Sequence, residues 1–228
     1  MFKLKKILCV TLLLLGFSAF AFGSELFYGF TAGLCNLSEA YPGDNYSRGI
    51  DGISFNFSVT CFPGEGMWGF LFQTTANRFL SGRESDGSSK LKRINTYPLF
   101  DMRFYGAPSI KLQFGEKLRV PISLGPVFSL FREEIYGDYY YEAEYVGPYP
   151  DNELFYEAIG MGVFVDASLI FNPFKKEWFF FKNGITLEYN FLRLERGENM
   201  RMQSGYFVNT PYAAFYGTLY FGVGIFVK

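Results

Sequence analysis

The sequence predicts an all-β fold, a transmembrane antiparallel up-and-down β-barrel of eight strands running over residues 24–228. Three observations carry this. Apolar and polar residues alternate with period two, long and short connections follow one another in turn, and the polar face of the strands is almost free of charge.

The alternation is plainest in Ile53-Ser54-Phe55-Asn56-Phe57-Ser58-Val59-Thr60. One face reads Ile, Phe, Phe, Val and the other Ser, Asn, Ser, Thr, which is a strand and not a helix. The last strand does the same, with Phe215, Leu219, Phe221, Val223, Ile225 and Val227 on one side. Tyr216, Thr218, Tyr220, Gly222 and Gly224 lie on the other.

Taken in order, the strands fall at roughly 25–36, 50–61, 67–80, 94–114, 118–132, 156–171, 178–194 and 212–227, with ends good to about 2–4 residues. Strand four contains Gly106-Ala107-Pro108-Ser109, where Pro108 has no ladder donor and a local break is expected, either a turn that splits the strand and makes the count odd or, the favoured reading, a bulge. The apolar parity of Phe100, Met102 and Phe104 continues in Ile110, Leu112 and Phe114, so the strand is one element. Long polar loops are expected at 37–49, 81–93, 133–155 and 195–211. Tight turns are expected at Pro63-Gly64-Glu65-Gly66, Gly115-Glu116-Lys117 and Asn172-Pro173-Phe174-Lys175-Lys176. Short turns at one end and long loops at the other are the pattern of a barrel in a membrane, with both termini on the periplasmic side.

The polar face consists of Ser54, Asn56, Ser58, Thr60, Gln73, Thr75, Asn77, Ser123, Ser129 and many glycines. A water-facing surface would carry Lys, Glu and Arg instead, so a soluble lipocalin-like barrel is the lesser alternative. Small uncharged groups suit a crowded lumen, and the large apolar groups suit lipid. Aromatic residues make up 21% of the chain, with 29 Phe and 17 Tyr. Phe27, Tyr28, Trp68, Tyr97, Trp178, Phe179 and Tyr212 are expected to form girdles at the headgroup level.

Residues 1–23 read as a secretory signal peptide. A basic start (Lys3, Lys5, Lys6) precedes an apolar run from Ile7 to Phe22, and Ala21-Phe22-Gly23 forms the small-x-small triplet. No later segment has about twenty consecutive apolar residues, so a barrel is the route left for crossing a bilayer. Lys plus Arg number 21 and Asp plus Glu number 22, a balance that gives no basis for a nucleic-acid partner.

The residues resemble the small eight-stranded outer-membrane β-barrels, the group of the OmpA membrane domain, OmpX and OmpW. The resemblance rests on the segment at 1–23, the long–short loop rhythm and the closing strand Ala214–Phe226. It implies location in the cell outer membrane and insertion by the barrel-assembly machinery, which reads the last strand. Members commonly end in an aromatic residue, whereas this chain ends Phe226-Val227-Lys228, which fits a more distant Gram-negative or spirochaete-type envelope.

Five charges share the inward parity: Asp101, Arg103, Asp166, Lys182 and Glu188. Isolated charges in a narrow lumen are costly, so they are expected to form a lumen charge network. Arg103 lies about twelve residues above its turn and Glu188 about eleven above its own, which places them at similar depth. The network either fills the lumen or gates a small pore. Phe164, Ile170 and Leu192, on the same parity, would suit an apolar conduit.

Loop 133–155 is acidic and rich in tyrosine, with Tyr136, Tyr139, Tyr140, Tyr141, Tyr145 and Tyr149 as a candidate ligand-binding surface. A host or matrix ligand is the partner it would suit, beside the outer-membrane lipid around the barrel. Calcium capture there is weakly supported, since no EF-hand spacing exists. The chain has no histidine, so the usual general base is missing and no catalytic residue, metal ligand or cofactor is assigned. Cys35 and Cys61 end opposite strands about 25 Å apart, beyond the ~7 Å reach of a disulfide. The functional expectation is an outer-membrane surface protein with a mostly side-chain-filled lumen, presenting its loops for structural or binding roles. The alternative is a narrow channel or conduit for small or hydrophobic molecules.

Overall fold

The computed structural model describes residues 24–41, 46–64, 66–85, 92–94, 99–135, 138–141, 144–148, 154–173, 178–197, 208–209 and 213–227. Residues 1–23, with the expected signal peptide, and Tyr97, Tyr136, Tyr149 and Tyr212 lie outside these.

Eight long strands build the barrel: β1 (Ser24–Tyr41), β2 (Tyr46–Pro63), β3 (Trp68–Ser85), β5 (Leu99–Phe114), β6 (Leu118–Ile135), β9 (Leu154–Phe171), β10 (Phe179–Gly197) and β12 (Ala213–Val227). Four short pieces accompany them. β4 (Lys92–Ile94) pairs with β3 and β11 (Val208–Asn209) with β10, while β7 (Asp138–Tyr141) and β8 (Glu144–Pro148) form a separate hairpin. Each long strand pairs antiparallel with its chain neighbours, and β12 closes on β1.

Closure has a definite stagger. Cross-strand partners lead from Gly29 through Ser58, Gln73, Tyr105, Val127, Gly162, Asn190 and Ala214 back to β1 at Glu39, ten residues above the start. Ten residues at about 3.3 Å against eight strand spacings of about 4.8 Å give a tilt of about 40°. A strand of 18 residues such as β1 then rises roughly 45 Å, against an apolar band of about 25 Å.

That excess height corrects the expected loops. β1 and β2 remain paired up to Tyr41 opposite Tyr46, so 37–49 is mostly strand. The long-loop ends of β3, β6 and β10 likewise continue as ladder into their expected loops. Polarity had marked these stretches as loops. Beyond the lipid, however, water solvates both faces of a strand while its backbone still pairs. Asn36 and Asp51, exposed cross-strand partners, show this with a side-chain hydrogen bond of 2.8 Å.

The expected bulge at 106–109 is absent. Tyr105 faces Val127 and Ser109 faces Ser123, the same register on both sides, while the β5–β6 ladder skips Gly106, Ala107 and Pro108. The ladders on the far sides run through Pro108 and Pro126 without interruption. Both proline nitrogens therefore face the β5–β6 seam, where each removes a donor and no residue is inserted. True bulges occur elsewhere, at Leu80 in β3 and Phe191 in β10.

The outer surface carries large exposed apolar groups on every barrel strand, among them Phe30, Phe55, Leu80, Leu112, Leu124, Val163, Leu187 and Leu219. The ordinary rule of a soluble fold is inverted here, and such a continuous apolar belt is stable against lipid. At the short-turn end, Trp68 and Trp178 are exposed and Tyr28 and Phe179 half-buried, as a girdle requires. Phe27 departs from that expectation. It points inward and is 2% exposed, because its parity is that of Gly29 and Thr31.

Candidate functional site

The lumen is the candidate site, and it is filled in tiers. At the short-turn end Phe27, Phe62, Ile170, Phe180 and Phe226 form an apolar layer. Phe27 packs on the other three rings with centroids 6.0 Å (Phe62), 5.7 Å (Phe180) and 4.7 Å (Phe226) away. Glycine makes the room. A Cβ at Gly224 would meet the Phe180 ring at 2.1 Å, and one at Gly184 would meet the Tyr220 hydroxyl at 2.5 Å.

Above this layer small polar groups line the interior. The buried charges Glu25, Glu39, Asp101, Arg103, Lys111, Arg119, Asp166, Lys182, Glu188 and Arg193 share it, so the expected near absence of charge on this face does not hold. Ser54 bonds Thr218 at 2.8 Å, Asn56 donates to Thr31 at 3.1 Å and Ser123 donates to Ser109 at 3.0 Å. Leu71, Tyr105, Ala107, Val127 and Phe164 fill the remaining space. Nearer the long-loop end, Cys35, Leu37, Ile50, Phe79, Phe131, Ala158, Ala214 and Tyr216 form a further apolar cluster. Between that cluster and the mid-lumen lies a small hollow with room for about one water, lined by Glu39, Asp101, Arg103, Asn190 and Arg193 among others.

The five inward charges are all buried, but they form two centres. In the first, Arg103 Nε donates to Asp101 Oδ2 at 2.6 Å and Arg103 Nη1 donates to Glu188 Oε2 across the lumen. Tyr105 donates its hydroxyl to the other Glu188 oxygen, and Asn77 donates to Asp101 at 2.9 Å. The guanidinium also lies 3.8 Å over the Tyr216 ring, whose hydroxyl donates to Asn77 at 2.8 Å. Each charge thus has an opposite charge and further hydrogen bonds, the condition under which burial is tolerated.

The second centre surrounds Asp166, which accepts from Thr186 at 2.7 Å and from Tyr220 at 2.8 Å. Lys182 does not form an ion pair with it. Its ammonium donates to Ser58 at 2.9 Å and sits 5.5 Å over the Tyr220 ring.

Two further ion pairs and one arginine were missed. Lys111 pairs with Glu25 at the short-turn end, and Arg193 with Glu39 at 2.5 Å near the other. Arg119 points inward among the Phe27 and Phe226 rings. Parity alone would have found Lys111, which continues Asp101 and Arg103, and Arg119, which continues Ser123. Arg193 was hidden by the bulge at Phe191. The bulge turns Arg193 inward and Leu192, opposite outward-facing Met161, out of the lumen.

Of the tyrosine loop, the β7–β8 hairpin sets Tyr140 opposite Tyr145 and Tyr141 opposite Glu144. Cys35 and Cys61 are unbridged, and their rungs on β1 are nine residues apart, roughly 30 Å.

A closed barrel of eight antiparallel strands, with a lipid-facing apolar belt, short turns at one end and a polar filled interior, defines the class of the small outer-membrane β-barrels. Among solved structures, the chain is similar to the Pseudomonas aeruginosa outer membrane protein OprG. The match has TM-score 0.51 and 9% identity and covers 90% of this chain and 96% of that one. It is also similar to Neisserial surface protein A (TM-score 0.48, 9% identity, 89% and 96% covered). A third is Ail, the attachment invasion locus protein of Yersinia pestis (TM-score 0.42, 12% identity, 90% and 99% covered). At these identities the likeness concerns the fold, and of the three the OprG match is the one close enough to carry that conclusion. The three do not speak to a spirochaete-type envelope. No protein-family model matches the sequence, and no curated protein is similar to it in sequence.

Proposed function

We propose that this chain is an outer-membrane surface protein whose barrel is a filled support for its extracellular loops, and not an open pore. The observation that supports this is the tiered lumen. Four packed rings with two inward cations at one end, hydrogen-bonded polar groups in the middle and further ion pairs above occupy the interior among the described residues. Side chains ordinarily fill eight-stranded barrels in this way.

In this reading residues 1–23 direct export and the barrel-assembly machinery inserts the strands. The termini face the periplasm and outer-membrane lipid covers the belt. The loop at 133–155, with its acidic tyrosine hairpin, meets a host or matrix ligand. The fold alone does not decide catalysis. The absence of histidine is the reason to assign none.

Purified protein in planar bilayers should show no sustained single-channel conductance and should migrate heat-modifiably on a gel. Steady conductance by wild-type protein would favour the narrow channel instead. Deletion of 136–149 should abolish any binding to host or matrix material while the barrel still assembles. Unchanged binding would remove the loop's proposed role.

A further inference from the structure

Among the described residues, the short-turn end holds a buried cation with no opposite charge beside it. Arg119, the second residue of β6, is 6% exposed, and its guanidinium sits 5.6 Å over Phe27 and 5.5 Å over Phe226. Its Nε and Nη1 are buried without a hydrogen-bond partner. Lys111, one strand away, is equally buried but pairs with Glu25 on β1 and lies 4.9 Å over Phe62. At this tier, among the described residues, two inward cations face one inward carboxylate. The remaining positive charge lies on Arg119.

Aromatic faces recover part of what a guanidinium loses on leaving water, but they do not accept its in-plane N–H groups. A buried charge with open donors has uncompensated desolvation, and the natural complement to a guanidinium is a planar or tetrahedral oxyanion. The position favours access as well, since only Leu118 separates Arg119 from the exposed Gly115–Lys117 turn. The other inward arginines each have a carboxylate partner, Arg193 with Glu39. Arg103 is saturated by Asp101 and Glu188, and Lys182 donates to Ser58.

From this we infer that Arg119 is the receptor group of an oxyanion site in the short-turn mouth, taking a carboxylate or a phosphate group. The Phe27 and Phe226 rings, with centroids 4.7 Å apart, lie together on one side of the guanidinium and leave its other side to a ligand. Lys111, already neutralised by Glu25, does not compete for the ligand. The site is independent of whether the lumen conducts; the orientation proposed above makes its ligand a periplasmic one.

Titration of the full barrel in non-ionic micelles tests this, with sodium phosphate or sodium acetate replacing chloride at constant ionic strength. The Arg119 Nε–H resonance, assigned by its loss in Arg119→Lys, should move saturably. Arg119→Gln should remove that response, and with it any phosphate-dependent rise in the temperature at which heat-modifiable migration is lost. The half-saturating concentration for residual binding should rise by about tenfold or more, as expected for loss of a charge-assisted hydrogen bond. A response to phosphate alone identifies a phosphate site, and a response to acetate a carboxylate site. If neither anion moves the wild-type resonance, the proposal fails, including the case where a carboxylate of the same chain already occupies the arginine. The wild-type titration decides this even if the Gln variant does not fold.

Discussion

Arg103 on β5 and Glu188 on β10 meet across the lumen although 85 residues separate them in the chain. Both side chains are almost fully buried, so Glu188 has Arg103 as its counter-ion while Arg103 is shared between Glu188 and Asp101. The pair joins opposite walls of the barrel, while Asp101 and Tyr105 hold its two ends from β5.

Breaking this pair on one side should be costly. Arg103→Met leaves Glu188 and Asp101 without their cation, and Glu188→Gln leaves Arg103 with one carboxylate. Removal of one partner from a buried pair typically costs about 3–5 kcal/mol. Denaturant unfolding of the barrel in micelles should show Arg103→Met at that level. Arg103→Met with Glu188→Met should recover part of the loss. A double variant no better than the sum of its singles would mean that the two residues are uncoupled.

The apolar belt can be tested at Leu219, which is 64% exposed on the outer face of β12. Leu219→Arg should destabilise insertion by about 2–4 kcal/mol, as measured for cations near the midplane of such barrels. Ser38→Arg, also outward but on the upper, long-loop part of β1, should be close to neutral. Equal effects in vesicle-folding titrations would argue against lipid as the surrounding medium.

The apolar layer at the short-turn end is the expected barrier to ions. Phe62→Ala combined with Phe180→Ala removes two of its four rings. The double variant should raise bilayer conductance above that of wild type, whereas Glu188→Gln, higher in the lumen, should not. The reverse ranking would move the barrier to the charged centre.

Glycine at 224 is required by close approach. A side chain there would strike the Phe180 ring and the Tyr28 carbonyl, with the new Cβ only 2.3 Å from that oxygen. Gly224→Val should cost about 1–3 kcal/mol or more through overpacking. Folding yield in micelles reports it. Gly49→Val, where a new Cβ meets nothing within 4 Å, is the control.

The barrel does not need its tyrosine hairpin for closure. β6 and β9 are paired as far as Ile135 and Leu154, with β7 and β8 in a separate sheet. Deleting 136–149 should therefore leave the heat-modifiable mobility shift intact.

Fold class, strand number and the inward or outward direction of most side chains were legible in the residues, because pleat and lipid together impose period two. Ser54, Asn56, Gln73, Asp101, Arg103 and Glu188 all point where their parity requires. Tertiary structure decided the rest. Strand length was not legible in polarity, since above the lipid a paired strand and a loop are equally wet. The partners of each charge depend on the ten-residue stagger, which brings Arg103 to Glu188 and leaves Lys182 with Ser58 and not Asp166. A single extra residue, Phe191, reverses parity and brings Arg193 inside to Glu39. Period two is a local property of the backbone. Register and closure are properties of the whole ring, and no short window of sequence contains them.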